Sequence, residues 1–172
     1  MNTVDNDLVE MWLKKKISEE EFLKIIEKLI SDDKDCLIRD LKEGFKNKDS
    51  KRIEFLVLAI SIIDGKLSCF CLNDYLDILN NLLVENWHNK HEDLVYLLER
   101  IHDSKSIDFL IKAMNLDLDY LSWDDNYSFE RKIIHAIYHI GGKKAHEYLD
   151  YLCLSSNQII KETAMKQLKK IR

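Results

Sequence analysis

Proline is absent from this chain of 172 residues, and glycine occurs only four times, as Gly44, Gly65, Gly141 and Gly142. Proline breaks helix interiors and glycine loosens them, so a chain nearly free of both can be helical along most of its length. Long apolar runs are missing too. The longest, around Phe55–Ile63, falls far short of the roughly 20 residues that span a bilayer. Cysteine is sparse: Cys36, Cys69, Cys71 and Cys153. Cys69 and Cys71 resemble one half of a metal site, but no second Cys/His cluster completes it, so buried reduced thiols are expected, with no metal and no cofactor. A glycine-rich phosphate loop and a G-x-S-x-G elbow are also lacking, which removes the common nucleotide-binding and serine-hydrolase patterns. The start, Met1–Glu10, is polar and acidic, unlike a secretion signal, so the expected location is cytoplasmic.

What is present suits amphipathic helices. Hydrophobic residues make up 46% of the chain and charged residues 33%, with Leu, Ile, Lys, Glu and Asp prominent. That is the composition of a globular protein whose helices turn charged faces outward, and the fold class it predicts is all-α. The 31 acidic residues outnumber the 26 basic ones, giving a net charge of −5. This balance repels nucleic acid and anionic lipid on average and favours a basic macromolecular partner.

Local signals mark the helices. Ser18 and Glu21 form a capping box, after which Phe22, Ile25, Ile26, Leu29 and Ile30 recur at helical spacing. Ser31-Asp32-Asp33 reads as the cap of a next helix carrying Cys36, Leu37, Leu41 and Phe45, closed by Gly44 and the polar run Lys46–Asp49. Further helices are expected over Ser50–Ile63, Leu72–Glu85, His91–Ile101, Ser104–Asn115, Ser128–Ile140, Lys143–Leu154 and Asn157–Ile171. Most linkers are short enough to force antiparallel neighbours; Leu116–Tyr127 is the long one.

The chain also repeats itself. Leu94–Ile101 and Ile133–Ile140 carry apolar residues at the same positions, 39 residues apart, and the match continues from Phe109-Leu110 to Tyr148-Leu149 and from Ala113 to Leu152. One period earlier fall Phe55, Leu56, Leu58, Ala59 and Ile62, beyond which the register slips. Two helices in a period near 40 predict a HEAT-like α-solenoid of antiparallel hairpins, a right-handed superhelix in which each hairpin buries its apolar face on the next. Residues 1–172 are then one domain, with capping helices over 1–48 and repeats over 49–172. An ordinary helical bundle is the alternative.

Trp87-His88-x-x-His91-Glu92-Asp93-Leu94, Asp103-Ser104-x-Ser106-Ile107-Asp108-x-Leu110, Asp119-Tyr120-Leu121, Asp124-Asp125, Arg131-Lys132 and Ala136-Ile137-x-x-Ile140-Gly141 together resemble a group of small bacterial HEAT-repeat proteins. The resemblance is specific over about residues 75–170 and only general before them. Proteins of that group are often immunity proteins that neutralise a toxin, so the resemblance implies inhibition of a toxin partner, and binding, not catalysis. It also implies that the second helix of each hairpin lines a concave face, with Glu92, Tyr96, Glu99 and Arg100, then Arg131, His135, Tyr138 and His139, directed outward.

Two further stretches invite a functional reading. Asp117–Glu130 holds Asp117, Asp119, Asp124, Asp125 and Glu130 among Tyr120, Trp123, Tyr127 and Phe129. Acids steer a basic partner and exposed aromatics anchor it; alternatively the aromatics plug a gap, and Asp124 and Asp125 cap a helix or pair with Arg131 and Lys132. His88 and His91 lie three apart beside Glu92 and Asp93 but lack the H-E-x-x-H order of a zinc helix, so a role at a helix start is the plainer account. The basic run Lys161–Arg172 suits a solvated helix end. Two other classes of function stay open: a HEAT-like nucleic-acid enzyme of the DNA glycosylase type, and a generic scaffold or regulatory solenoid.

Overall fold

With no proline to interrupt them, ten α-helices form among residues 6–170, the part of the chain that the computed structural model describes, and no strand occurs among those residues. The chain is all-α. The helices are α1 (Asn6–Leu13), α2 (Glu19–Asp32), α3 (Cys36–Asn47), α4 (Ser50–Ile63), α5 (Leu76–Leu83), α6 (His91–Ile101), α7 (Ser106–Ala113), α8 (Ser128–Ile140), α9 (Gly142–Leu152) and α10 (Gln158–Leu168). Single 3-10 turns form at Leu72–Tyr75 and Asp119–Leu121. None of these helices is long and apolar enough to cross a membrane. Two compact units result: one runs to Ile78 and includes Trp87–Lys90, the other comprises Leu79–Asn86 and the chain from His91 onward.

In the first unit, α1 packs on α2 and α4, α2 on α3, and α3 on α4. The capping box is formed: Glu21 N–H donates to Ser18 Oγ at 3.2 Å, and Ser18 N–H donates to Glu21 Oε2 at 2.8 Å. Below it Phe22, Ile26 and Ile30 are buried, whereas Ile25 is exposed. Ile25 sits at the edge of the stripe, since three residues turn the helix about 300° from Phe22 while four turn it only about 40° past.

The expected cap at Ser31–Asp33 does not form. α2 runs on through Asp32, and the Asp33 carboxylate is engaged by the Arg39 guanidinium and by Asp35 N–H. Gly44 does not close α3 either. It is buried inside the helix, where an added Cβ would lie 3.0 Å from Ile53 Cδ1, so its role is close approach to α4. α3 stops at Lys48 instead, in the left-handed region at φ +51°. Asp49 then accepts from Arg52 N–H and opens α4, which buries residues on several sides. Buried Asp40 is met by Arg52 Nη2 at 3.0 Å, a charge pair joining α3 to α4.

Two expectations fail at the end of this unit. Cys36 is buried, but Cys69 and Cys71 are exposed and Cys153 is half-buried. The segment through Cys69 and Cys71 is a surface turn in which Leu67 and Leu72 take the inward positions. The helix foreseen from Leu72 begins as a 3-10 turn and becomes α-helical only at Leu76.

In the second unit, α8 packs against α6, α7, α9 and α10. Burial there repeats with the period seen in the sequence. Leu94, Val95, Leu97, Leu98 and Ile101 are buried on α6, and their counterparts 39 residues on, Ile133, Ile134, Ala136, Ile137 and Ile140, are buried on α8. Leu110 and Ala113 on α7 are matched in the same way by Leu149 and Leu152 on α9. Gly141 and Gly142, both at positive φ, make the tight α8–α9 turn that permits this pairing. Ile171, Arg172 and the polar start Met1–Asp5 lie outside the described residues.

Candidate partner-binding face

Because each of α6 and α8 buries one stripe, the opposite stripes are left facing out, and they carry the residues expected of a binding surface. Tyr96, Arg100, Arg131 and His139 are exposed, while Glu92, Glu99, His135 and Tyr138 are half-buried. The half-buried ones are tied across helices. Lys132 Nζ reaches Glu92 Oε1 at 2.7 Å, and His139 Nδ1 meets the Glu99 carboxylate. On the far side Lys170 Nζ lies 5.3 Å from the centre of the Tyr138 ring. The surface is therefore neither uniformly acidic nor uniformly basic. Its charges are interleaved and largely paired between neighbouring helices.

His135 sits against α10. Burial holds its imidazole below the ordinary histidine range, helped by the charges of Lys170, His139 and Arg131 and opposed by Glu99. The ring is neutral at pH 7.

The long linker divides into an inner and an outer half. Tyr120 turns inward: its hydroxyl lies 3.2 Å from His91 Nδ1, and burial, followed by the charge of Glu92, pushes its pKa up to about 12. Asp124 is occupied by the backbone, accepting from Asn126 N–H at 3.0 Å and Ser128 N–H at 2.7 Å; these bonds, Ser128's first, hold its carboxyl below the usual range. Asp124 thus caps α8, one of the two roles foreseen for it, whereas Lys132 pairs with Glu92 and Arg131 forms no ion pair among the described residues. Phe129 is buried.

The outer half is different. Trp123 is 77% exposed, although its indole N–H is held by Tyr120 O at 2.9 Å. The ring is fixed in place and its apolar faces meet water. Asp119 and Asp125 are exposed beside it, and Tyr127, also exposed, adopts the left-handed region at φ +53°. A cavity of about 240 Å3 opens under this segment, floored by Leu118, Leu121 and Phe129 and edged by Asp117, Asp125 and Glu130. Burial, then the charge of Asp124, raises the Glu130 carboxyl above its ordinary range.

His88 and His91 have structural partners. His88 is buried with Nδ1 accepting from Lys90 N–H at 3.2 Å, and its ring meets Trp87 edge-on. His91 is buried with Nε2 at 2.6 Å from Glu85 O. Among the described residues no group of three or more His, Cys, Asp or Glu is placed to hold a metal ion.

One exposed apolar surface has no counterpart in the sequence reading. Tyr151 and Leu154 are 66% and 83% exposed at the mouth of a groove of about 430 Å3 that also includes Met114, Tyr148 and Ile160. A tyrosine pair at helical spacing, Tyr148 and Tyr151, is the signal that marks it.

No family model, curated protein or solved structure matches this chain.

Proposed function

We propose that this chain is a protein-binding module whose hairpins stack as a HEAT-like solenoid, and that it inhibits a basic protein partner by covering it, as an immunity protein covers a toxin. The observation that carries the binding reading is Trp123. A large aromatic costs free energy when left in water, yet here it is pinned outward by a hydrogen bond from its own indole. Fixed aromatics of this kind anchor interfaces because little conformational entropy is lost on docking. Asp119 and Asp125 beside it supply the charge that attracts a basic partner. The 39-residue burial repeat and the position of α8 between α6 and α10 support the solenoid. The toxin as partner rests on the sequence resemblance. The interleaved charges of Glu92, Lys132, Glu99 and His139 favour a protein surface over the broad positive groove that a duplex-reading enzyme needs.

Tagged protein expressed in its native host is expected to return a basic protein in equimolar complex. Replacing Trp123, Asp119 and Asp125 with alanine weakens that complex by more than about tenfold while the fold is retained. Asp124 is left intact in this variant because it caps α8. Recovery of DNA without protein, or unchanged affinity in the folded triple variant, overturns the proposal.

A further inference from the structure

The net charge of −5 conceals an uneven distribution. Residues 131–170 carry eight Lys or Arg against three Asp or Glu, the reverse of the rest of the chain. Two of these cations, Arg131 on α8 and Lys166 on α10, line one groove of about 320 Å3 together with His135, Thr163, Gln167 and a single carboxylate, Glu162. Glu162 already accepts from Gln158 Nε2. Neither Arg131 nor Lys166 forms an ion pair among the described residues, whereas Lys132 and His139, also on α8, pair with Glu92 and Glu99.

The floor of the groove is built from polar groups held in place. Gln167 is fully buried; its Oε1 accepts from Lys170 Nζ at 2.8 Å, and its Nε2 lies 3.2 and 3.3 Å from the two nitrogens of His135. An approach within the ring plane, equidistant from both nitrogens, would press the amide into Cε1. The amide therefore lies out of the ring plane, and His135, which lines the groove, has no other hydrogen-bond partner among the described residues. A neutral imidazole has one N–H to donate, and Lys170, His139 and Arg131 surround it with positive charge that only Glu99 opposes.

We propose that this groove is an anion subsite, taking one carboxylate side chain of the protein partner, with Arg131 and Lys166 supplying the charge and His135 a hydrogen bond. The identity of the occupant rests on the protein-binding reading above. A single anion fits better than a nucleic-acid strand for a local reason. Toward α6 the cations Lys132 and His139 are already paired with Glu92 and Glu99, so the unpaired positive charge is confined to the groove and suits one carboxylate better than an extended strand. A guanidinium fork also matches a planar carboxylate in two parallel hydrogen bonds.

The test needs no partner. The full chain is titrated with N-acetylglutamate at constant ionic strength while the ring resonances of His135 are followed by NMR. Saturable binding in the millimolar range is expected, with the His135 pKa rising as the anion loads. The Arg131→Gln/Lys166→Gln variant should weaken binding by at least about tenfold, whereas Lys143→Gln/Lys144→Gln, which removes equal charge elsewhere, leaves it intact. Shifts that do not saturate, or that are equal in both double variants, overturn the subsite. So does a short single-stranded oligonucleotide that saturates the same resonances at micromolar concentration. Failure to capture a protein partner leaves this titration unaffected, so the two proposals fall separately.

Discussion

His91 and Tyr120 join the start of α6 to the long linker through one imidazole ring. Glu85 O can only accept, so the proton sits on His91 Nε2, and Nδ1 then accepts from the Tyr120 hydroxyl at 3.2 Å. Substituting His91 by alanine removes both bonds from a fully buried site and leaves a cavity, at a cost of about 3 kcal/mol in denaturant unfolding. Tyr120→Phe removes one bond and costs about 1 kcal/mol.

Tyr120 also carries a pH signature. Its pKa is raised in the folded chain to about 12, so the unfolded state releases the phenolic proton first. The associated stability is complete below about pH 10 and is lost as pH rises toward the folded value. The Tm of Tyr120→Phe should therefore fall less steeply above pH 10 than that of the native sequence. Some decline persists, because burial also raises Tyr75 and Tyr148. Parallel declines would show that Tyr120 is not buried against His91.

Asp124 gives the opposite sign. Its carboxyl is held below the ordinary range by Ser128 and Asn126 N–H groups, so its contribution is present above about pH 4 and disappears as pH falls through the depressed value. Asp124→Asn keeps one acceptor oxygen without the charge. Its Tm should lie below that of the native chain at pH 7, and the gap should narrow as pH falls below the ordinary carboxylate range. A gap that is constant with pH would mean that the carboxylate charge plays no part in starting α8.

Gly44 approaches α4 closely. A methyl group there would meet Ile53 Cδ1 at 3.0 Å and Cγ1 at 3.4 Å, and Ile53 is fully buried. Alanine gains helix propensity but overpacks this contact, two effects of similar size and opposite sign. The informative quantity is the coupling. In a double-mutant cycle, Ile53→Val should offset Gly44→Ala by about 1 kcal/mol, because shortening the isoleucine frees the space the methyl needs. Strict additivity would place the two residues out of contact.

These cases show which features the sequence discloses. Helices bounded by strong local chemistry are legible: Ser50–Ile63 starts at Asp49 and stops before Gly65, and Ser128–Ile140 ends at Gly141-Gly142. The 39-residue repeat is legible because burial follows the same apolar positions in α6 and α8. Gly44 is misread because a glycine used for helix contact and one used to end a helix look alike until the neighbouring helix is in place. Asp33 is misread because Arg39 takes the carboxylate that sequence logic gives to a cap. The site residues divide in the same manner. Nothing local distinguishes Asp124, which caps, from Asp125, which faces water, or Tyr120, tied to His91, from Trp123, turned outward. The groove at Gln167 depends on burial of a polar residue between α8 and α10, which periodicity does not report.

Tyr127 stands at the start of α8 in the left-handed region, at φ +53°, where a Cβ crowds the backbone and the cost is about 1 kcal/mol. Tyrosine has no local reason to occupy such a position, and it lies beside exposed Trp123 on the surface assigned to the partner. Comparing Tyr127→Gly with Tyr127→Ala isolates the backbone cost, since both variants lose the ring and only glycine escapes the strain. Glycine should be the more stable by about 1 kcal/mol, the reverse of the order found in an ordinary helix. If Tyr127 is retained for its ring, partner affinity should fall equally in both variants although their stabilities differ. Alanine as the more stable variant would show that the backbone here is not left-handed. Unchanged affinity in both would remove the Tyr127 ring from the binding face and leave Trp123 as its aromatic anchor.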